Sequence, residues 1–468
     1  MLTQMQRRKL IMEKMNIKKH TYLLMCILAG ALMYSCSGDE SPTLEGLKQE
    51  TSLSILLNAP QQGKEKSSGN PDLSAESKIY SLEVLVFKSE GESEEGKLDG
   101  YGYVARQTKN VTGQIYDKEY IEINEIKDIT VTAGKRDIYV IANAPDKYFS
   151  SVTNSQDFLK KYEDLSTQGR YPYPGTTTPN ADEDIPIGGI NPSNLKMNLT
   201  MCNYKKNVSL NNLYDHQYLG YTTNNGRPDG VDPGQGWLLD GSNPFYIERL
   251  VARIAIRKIE FDLPASLPFE GVSYPSNDYT FQIDSVFMLN TKTTSKFAVD
   301  SQIGFAEKFG HGCQTGYSFL NNSARIYNLN QDSEPASYLL EAITATSYDI
   351  STNATPLWFY AFENESGSYP TYLVIGVRYN FKSSKDNSLN TLKCYYPVIV
   401  NQPKAGKSAD HDYVKRNYQY QIAATIKGLG SLYGNPAALK NGLATDSEVE
   451  ITETVGRNLF PWTGDVYK

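Results

Sequence analysis

The stretch Ser52-Leu-Ser-Ile-Leu-Leu-Asn58 alternates so that Leu53, Ile55 and Leu57 share one side of an extended chain. The same period of two returns in Ser81-Leu-Glu-Val-Leu-Val-Phe87, where Leu82, Val84 and Val86 form the apolar row. Ile121 and Ile123, then Ile129 and Val131, predict one or two further strands. Asp137-Ile-Tyr-Val-Ile-Ala-Asn143 is apolar on both faces, which marks a central strand, and Ala144-Pro145 stops it. Arg249-Leu-Val-Ala-Arg-Ile-Ala-Ile-Arg-Lys-Ile259 reads as a long strand with Leu250, Ala252, Ile254 and Ile256 on one side. Beyond it, strands are expected over 279–289, 357–363, 371–381, 393–400, 416–427 and 447–455. Residues 157–164 predict one short helix. Clusters of Gly, Pro, Asn and Asp separate the runs, and 169–192 and 220–244 read as long loops. Many short strands divided by turns specify an all-β protein built as a sandwich or barrel.

Composition agrees. Tyr is abundant at 34 of 468 residues, and a chain rich in Tyr and Thr suits strands better than helices. The length exceeds what one core organises, so two domains are expected, divided near residue 255 (67–255 and 256–468). The net charge of -7 and the lack of a basic patch argue against nucleic acid as a partner. Cys202, Cys313 and Cys394 are odd in number and far apart, which supports neither a metal knuckle nor a disulfide framework; they read as buried thiols.

The chemistry-bearing residues are scattered. His216, His311 and His411 have no second His at ligand spacing, and Asp410-His411-Asp412 reads as a solvated turn. Gly310-His-Gly-Cys313 places a thiol beside an imidazole only in sequence, which does not establish a catalytic pair. Gly428-Leu-Gly-Ser-Leu-Tyr-Gly434 lacks dinucleotide-loop spacing and reads as a turn after a strand. Asp182-Glu-Asp184 and Asp229-Gly-Val-Asp232 lack the ligand order of a calcium loop. The expectation is a protein without catalytic residues, metal or cofactor.

The N-terminus carries an export signal. Lys18, Lys19 and His20 precede the apolar run Tyr22–Met33, after which Ser35-Cys36 leads into polar Ser37-Gly-Asp-Glu40. The run fits a signal core of about 7–15 apolar residues and falls short of the roughly 20 of a spanning helix. Residues 1–35 are therefore a signal peptide. Cys36 at the cleavage point resembles a bacterial lipobox, which implies thioether lipidation, with palmitate as an acyl group, and attachment to a membrane leaflet. The alternative is an ordinary secretory signal with an incidental Cys. Residues 37–51 read as a flexible tether.

Leu82-Glu-Val-Leu-Val-Phe87, Val131-Thr-Ala-Gly-Lys-Arg-Asp-Ile-Tyr-Val-Ile-Ala-Asn143, Ile185-Pro-Ile-Gly-Gly189 and Arg249-Leu-Val-Ala-Arg-Ile254 together resemble the fimbrillin family, the major subunits of type V pili. Trp358-Phe-Tyr-Ala-Phe-Glu-Asn364, Thr371-Tyr-Leu-Val-Ile-Gly-Val-Arg-Tyr379, Val414-Lys-Arg-Asn-Tyr-Gln-Tyr420 and Pro461-Trp462 continue the likeness. The resemblance implies two transthyretin-like β-sandwich domains in tandem and a lipoprotein precursor carried to the outer membrane and cell surface. It further implies that a surface protease removes the first strand, and that a strand from a neighbouring subunit fills the vacated groove, building an adhesive fimbrium.

Each part of that scheme has a counterpart here. The removable strand is 51–58, with Leu53, Ile55 and Leu57 as its apolar face; a permanent first strand is the alternative. The linker Ala59-Pro-Gln-Gln-Gly63 and onward to Pro71 is polar, and Lys64 and Lys66 are its basic residues and candidate processing sites within the segment 36–66. The resemblance implies a cut after an Arg, yet no Arg lies between Cys36 and Arg106, so either the protease accepts Lys64 or Lys66 or the subunit stays uncut as an anchor. The donor tail is 457–468, in which Phe460, Trp462 and Val466 share one parity. Alternatively, Phe460 and Trp462 cap their own domain. Strand 447–455 is expected to complete its own sheet. The expected partners are further copies and related pilus subunits, signal peptidase, a surface protease, and host or bacterial surface ligands. The rivals to a stalk subunit are an anchor or tip subunit and a monomeric glycan-binding surface lipoprotein, the last suggested by Tyr171-Pro-Tyr173.

Overall fold

The computed structural model describes residues 50–57, 78–110, 118–165, 199–221, 236–239, 245–298, 340–349, 352, 357–365, 370–401, 411–432 and 449–457. The first half holds β1 (Glu50–Leu56), β2 (Leu82–Lys88), β3 (Leu98–Val104), β4 (Thr108–Asn110), β5 (Lys118–Tyr120), β6 (Glu125–Thr132), β7 (Gly134–Ala142), α1 (Ser155–Leu159), β8 (Tyr162–Asp164), β9 (Met201–Leu210), β10 (His216–Leu219), β11 (Gly236–Leu239) and β12 (Glu248–Arg249). The second half holds β13 (Val251–Phe261), β14 (Ser266–Phe269), β15 (Val272–Pro275), β16 (Tyr279–Leu289), β17 (Thr294–Lys296), β18 (Leu340–Ala345), β19 (Tyr348–Asp349), β20 (Leu357–Phe362), β21 (Tyr372–Lys382), β22 (Leu389–Ile399), β23 (Tyr418–Ile426), β24 (Ser431–Leu432) and β25 (Val449–Arg457). The protein is all-β, as its alternation predicts.

In the first half one sheet runs β11-β10-β1-β6 and a second runs β12-β9-β7-β2-β3. The second sheet is apolar on both faces because each face has its own core. Leu82, Val84 and Val86 of β2, with Ile138 and Val140 of β7, pack with Leu53, Ile55 and Leu57 in the core between the two sheets. On the opposite face, Leu85, Phe87, Tyr139 and Ile141 join a larger cluster with Phe149, Phe158 and residues of β13, β20 and β23.

In the second half one sheet runs β19-β13-β23-β25, with β20 also paired to β13, and another runs β18-β16-β21-β22-β24. The boundary expected near 255 falls inside β13, and the large apolar cluster takes residues from both sides of it. A short ladder adds to this link: β8 pairs with β17 through Asp164–Thr294, Glu163–Ser295 and Tyr162–Lys296. β25 pairs antiparallel with β23 from Tyr418–Arg457 to Ile426–Val449, so the strand expected over 447–455 completes its own sheet.

Several local expectations change. The helix predicted over 157–164 is the single turn α1, capped by the Asn154 side chain accepting from the Asp157 N–H, and Tyr162–Asp164 is strand. The stretch 220–244, read as loop, contains β11. His411 is buried rather than solvated. Its Nε2 lies 2.8 Å from the Tyr420 hydroxyl, and its ring packs edge-on against Tyr413 and Tyr418. Alternation along β23 turns Tyr418 and Tyr420 to one face, which covers the imidazole. Cys202 and Cys394 are buried, and burial pushes the Cys202 thiol up to about 12, which keeps it unreactive. Cys313 and His311 lie outside the described residues.

Candidate assembly slot around the first strand

β1 occupies an interior position of its sheet. On one side it runs parallel to β10, pairing Ser52–His216, Leu53–Gln217, Ser54–Tyr218 and Ile55–Leu219. On the other it runs antiparallel to β6, from Glu50–Thr132 through Leu53–Ile129 to Leu56–Glu125. Both edges of the strand are therefore used. The ends are held too: the Ser52 N–H donates to the Asp215 carbonyl at 2.8 Å, and the Leu57 N–H to the Asn124 carbonyl at 2.7 Å.

The expected apolar face is the inward one. Leu53, Ile55 and Leu57 are at most 1% exposed and pack against Ile126, Ile129, Val131, Leu219 and Phe245. Burying side chains of this size stabilises by roughly 1.5–3 kcal/mol each.

Polar contacts fix the register. The Thr51 hydroxyl donates to the Tyr214 carbonyl at 2.9 Å and accepts from Gln217 Nε2 at 3.3 Å. Gln217 is fully buried and also donates to the Asn211 carbonyl at 2.7 Å. Opposite Ser54 the β6 ladder slips by one residue, and Asp128 takes a left-handed φ of 56°. The Asp128 N–H freed by this bulge donates to Ser54 Oγ at 3.1 Å. On the outer face Ser52 Oγ meets His216 Nδ1 at 2.6 Å, and Asp128 Oδ1 lies 3.8 Å from the same nitrogen. With both contacts on one ring nitrogen, the three side chains lack the arrangement of a nucleophile, base and orienting acid.

Glycines bring the walls close. Gly220, at φ +81°, lies where an added Cβ would run into the Leu56 carbonyl oxygen. In β3, a Cβ on Gly100 would come within 2.7 Å of the Thr130 carbonyl oxygen, and one on Gly102 within 2.7 Å of Ile129. The bare face of β3 thus forms the bed on which β6 lies.

Of the site residues predicted from sequence, the structure brings Leu53, Ile55 and Leu57 together in one core. Cys36, Lys64, Lys66, Phe460, Trp462 and Val466 lie outside the described residues, as do Asp182–Asp184, Asp229–Asp232 and Tyr171–Tyr173. Sequence reasoning found the β6 wall through Ile129 and Val131 but missed the opposite wall and the bed. β10 and β11 have four residues each, too few for a period to show, and the Gly100 and Gly102 positions interrupt the apolar pattern of β3. Among the described residues no group of three His, Cys, Asp or Glu side chains is placed to hold a metal ion, and no helix is long and apolar enough to cross a membrane.

The family model described as the major fimbrial subunit protein (FimA) matches residues 51–249, a span that begins inside β1 and ends at β12. That match covers less than half of the chain and makes residues 51–249 similar to the fimbrillin subunits. A protein of Parabacteroides distasonis bearing the name fimbrium tip subunit Fim1C is 24% identical over 401 residues, covering 84% of this chain and 83% of its own. Among solved structures, a fimbrilin of Porphyromonas gingivalis superposes with a TM-score of 0.52 at 15% identity, covering 89% of this chain and 98% of its own. A cell adhesion protein of Parabacteroides distasonis also scores 0.52, at 18% identity, covering 89% and 99%. At these identities the solved structures establish the fold of this chain and nothing further. The family is one of structural subunits of a cell-surface appendage, not of enzymes.

Proposed function

We propose that this chain polymerises by strand exchange, with β1 as a temporary occupant of its slot. The observation that carries the reading is the placement of β1. It is the first strand of the folded unit, yet it sits between two other strands with its whole apolar face in the core. A cut in the following segment frees it without breaking the rest of the chain. The vacated slot then presents unpaired backbone on β10 and β6 and an apolar trough between them, the two features that capture an incoming strand.

In this scheme the chain is exported by residues 1–35, lipidated at Cys36 and held at the outer membrane. A surface protease cuts at Lys64 or Lys66. The tail 457–468 of a neighbouring copy enters the slot with Phe460, Trp462 and Val466 replacing Leu53, Ile55 and Leu57. The product is an adhesive filament of like subunits and related pilus proteins. The two halves of the chain correspond in this reading to two sandwiches, with the boundary moved from residue 255 to the start of β13. A tip role is the second reading, favoured by the relative that bears the tip-subunit name and aligns over most of its length.

The test is N-terminal sequencing and mass of the surface form, with wild type compared to a Lys64→Ala/Lys66→Ala chain and to a chain lacking 458–468. Stalk function predicts a mature start after residue 64 or 66 and multimer ladders in wild type, with neither variant forming ladders. Ladders that persist in the Lys variant exclude this linker as the switch. A truncated chain that is processed normally and still caps a filament supports the tip role.

A further inference from the structure

We infer that β6, the outer wall of the slot, is held by side-chain clamps at its two ends and by the glycine bed beneath it, so that the slot keeps its shape while β1 is absent. The inference rests on the reading of β1 as a removable strand. The need for such clamps follows from the strand order β11-β10-β1-β6. When β1 leaves, β10 keeps β11. Among the described residues, however, β1 is the strand with which β6 pairs. Without it, an eight-residue strand loses its ladder entirely, and unpaired N–H and C=O groups favour peeling away or inward collapse.

Three features that do not involve β1 oppose this. At the C-terminal end of β6, the Asp99 carboxylate accepts from the Thr132 N–H at 2.8 Å and from the Thr132 hydroxyl at 2.6 Å. The same carboxylate accepts from Arg136 Nε at 2.7 Å, and both charged side chains are nearly inaccessible, at 4% and 2% exposed. Arg136 also donates to the Ala133 carbonyl at 2.8 Å and the Lys135 carbonyl at 2.7 Å, closing the turn between β6 and β7. At the N-terminal end the Tyr221 hydroxyl donates to the Glu125 carboxylate, and the Ile123 N–H donates to the Ile79 carbonyl at 2.9 Å. Between the ends, Ile126, Ile129 and Val131 rest on Gly100 and Gly102 of β3. Asp99, Arg136 and Tyr221 are thus positioning residues for an incoming strand, and the hydrogen bonds given above run to β6, to the turn that follows it and between Asp99 and Arg136.

The experiment uses the full chain with a specific protease site engineered into 58–77, cut so that β1 stays bound without a covalent link. A fluorescent peptide of residues 50–58 is then added in excess, and its association and dissociation are followed by polarisation. A slot that is competent only part of the time slows capture in proportion, so Asp99→Asn and Tyr221→Phe are each expected to slow association about tenfold. Dissociation of the bound peptide is expected to stay within about twofold, because the contacts to the peptide are intact. A merely structural role moves the melting temperature of the uncut chain and leaves association unchanged. Tyr221→Phe removes one hydroxyl and serves if Asp99→Asn fails to fold. Association equal to wild type in the variants overturns the inference, as does a wild-type cut chain that never exchanges its strand. Normal exchange with clamp-dependent capture, alongside cells that build no filament, leaves the clamps standing and removes the assembly reading.

Discussion

At the residue scale, Gly220 shows how narrow the slot is. Its φ of +81° suits glycine, and its missing Cβ leaves room for the Leu56 carbonyl. Left-handed backbone costs a substituted residue about 1–2 kcal/mol, and the collision with a main-chain oxygen adds to it. Gly220→Ala is therefore expected to lower the stability of the intact chain by about 2 kcal/mol or more, read as a fall in the urea midpoint at unchanged slope. Glu83 shows a different constraint. Burial raises its pKa against the hydrogen bonds it accepts from Tyr101 Oη and from the Tyr148 and Phe149 N–H groups. A carboxyl that holds its proton more tightly when folded adds stability below its ordinary value of 4.5, and that contribution is lost as pH rises through the folded pKa. The melting temperature of wild type relative to Glu83→Gln is expected to be highest below pH 4.5 and to decline toward neutrality. A flat difference across that range contradicts the assignment. Neither residue is legible in the sequence, because Gly220 answers to a carbonyl 164 positions away and Glu83 to a loop more than sixty positions on.

At the element scale, the strands that announce themselves are those with enough residues to show a period and an apolar face to bury. β1, β2 and β13 alternate visibly, and the two-faced apolar pattern of β7 follows from the separate cores on either side of its sheet. β16 and β20 begin at the expected residues, Tyr279 and Leu357. The candidate site was only half readable: the occupant of the slot shows in Leu53, Ile55 and Leu57, while β10, β11 and the glycine face of β3 carry no such pattern. The bulge in β6 is equally silent, since it depends on Asp128 adopting positive φ opposite Ser54. The faces of β1 make a direct comparison possible. Large-to-small changes in a packed core cost about 2–5 kcal/mol, so Leu53→Ala and Ile55→Ala are each expected to fall in that range. Ser52→Ala, on the outer face, removes only the contacts to His216 and Asp215 and is expected to cost less than about 1 kcal/mol. Chemical denaturation of the three variants checks the order, and equal effects would mean that β1 is not seated by its apolar face.

At the scale of the whole molecule, the boundary expected near residue 255 meets a continuous interior. Phe149 and Phe158 of the first half lie 4.9 and 6.5 Å, centroid to centroid, from Phe297 of the second, and Tyr148 lies 6.1 Å away. The Phe297 carbonyl accepts from Arg416, which also reaches Ser295 Oγ and the Lys296 carbonyl. The backbone closes the same seam where the Leu165 N–H donates to the Thr293 carbonyl at 2.8 Å. In the proposed filament such a seam would carry tension between the halves, because a flexible joint would yield first. The seam makes a thermodynamic prediction. Two sandwiches joined only by a linker unfold separately, whereas two that share an apolar cluster and a ladder unfold together. Calorimetry of the intact chain is expected to give one transition with equal calorimetric and van't Hoff enthalpies. Phe297→Ala removes the ring at the centre of the seam, at a cost of about 3–5 kcal/mol. If the seam is what couples the halves, that loss falls on their cooperativity, and the single transition separates into two. Two transitions already present in wild type would show instead that the shared cluster packs the halves side by side without coupling them.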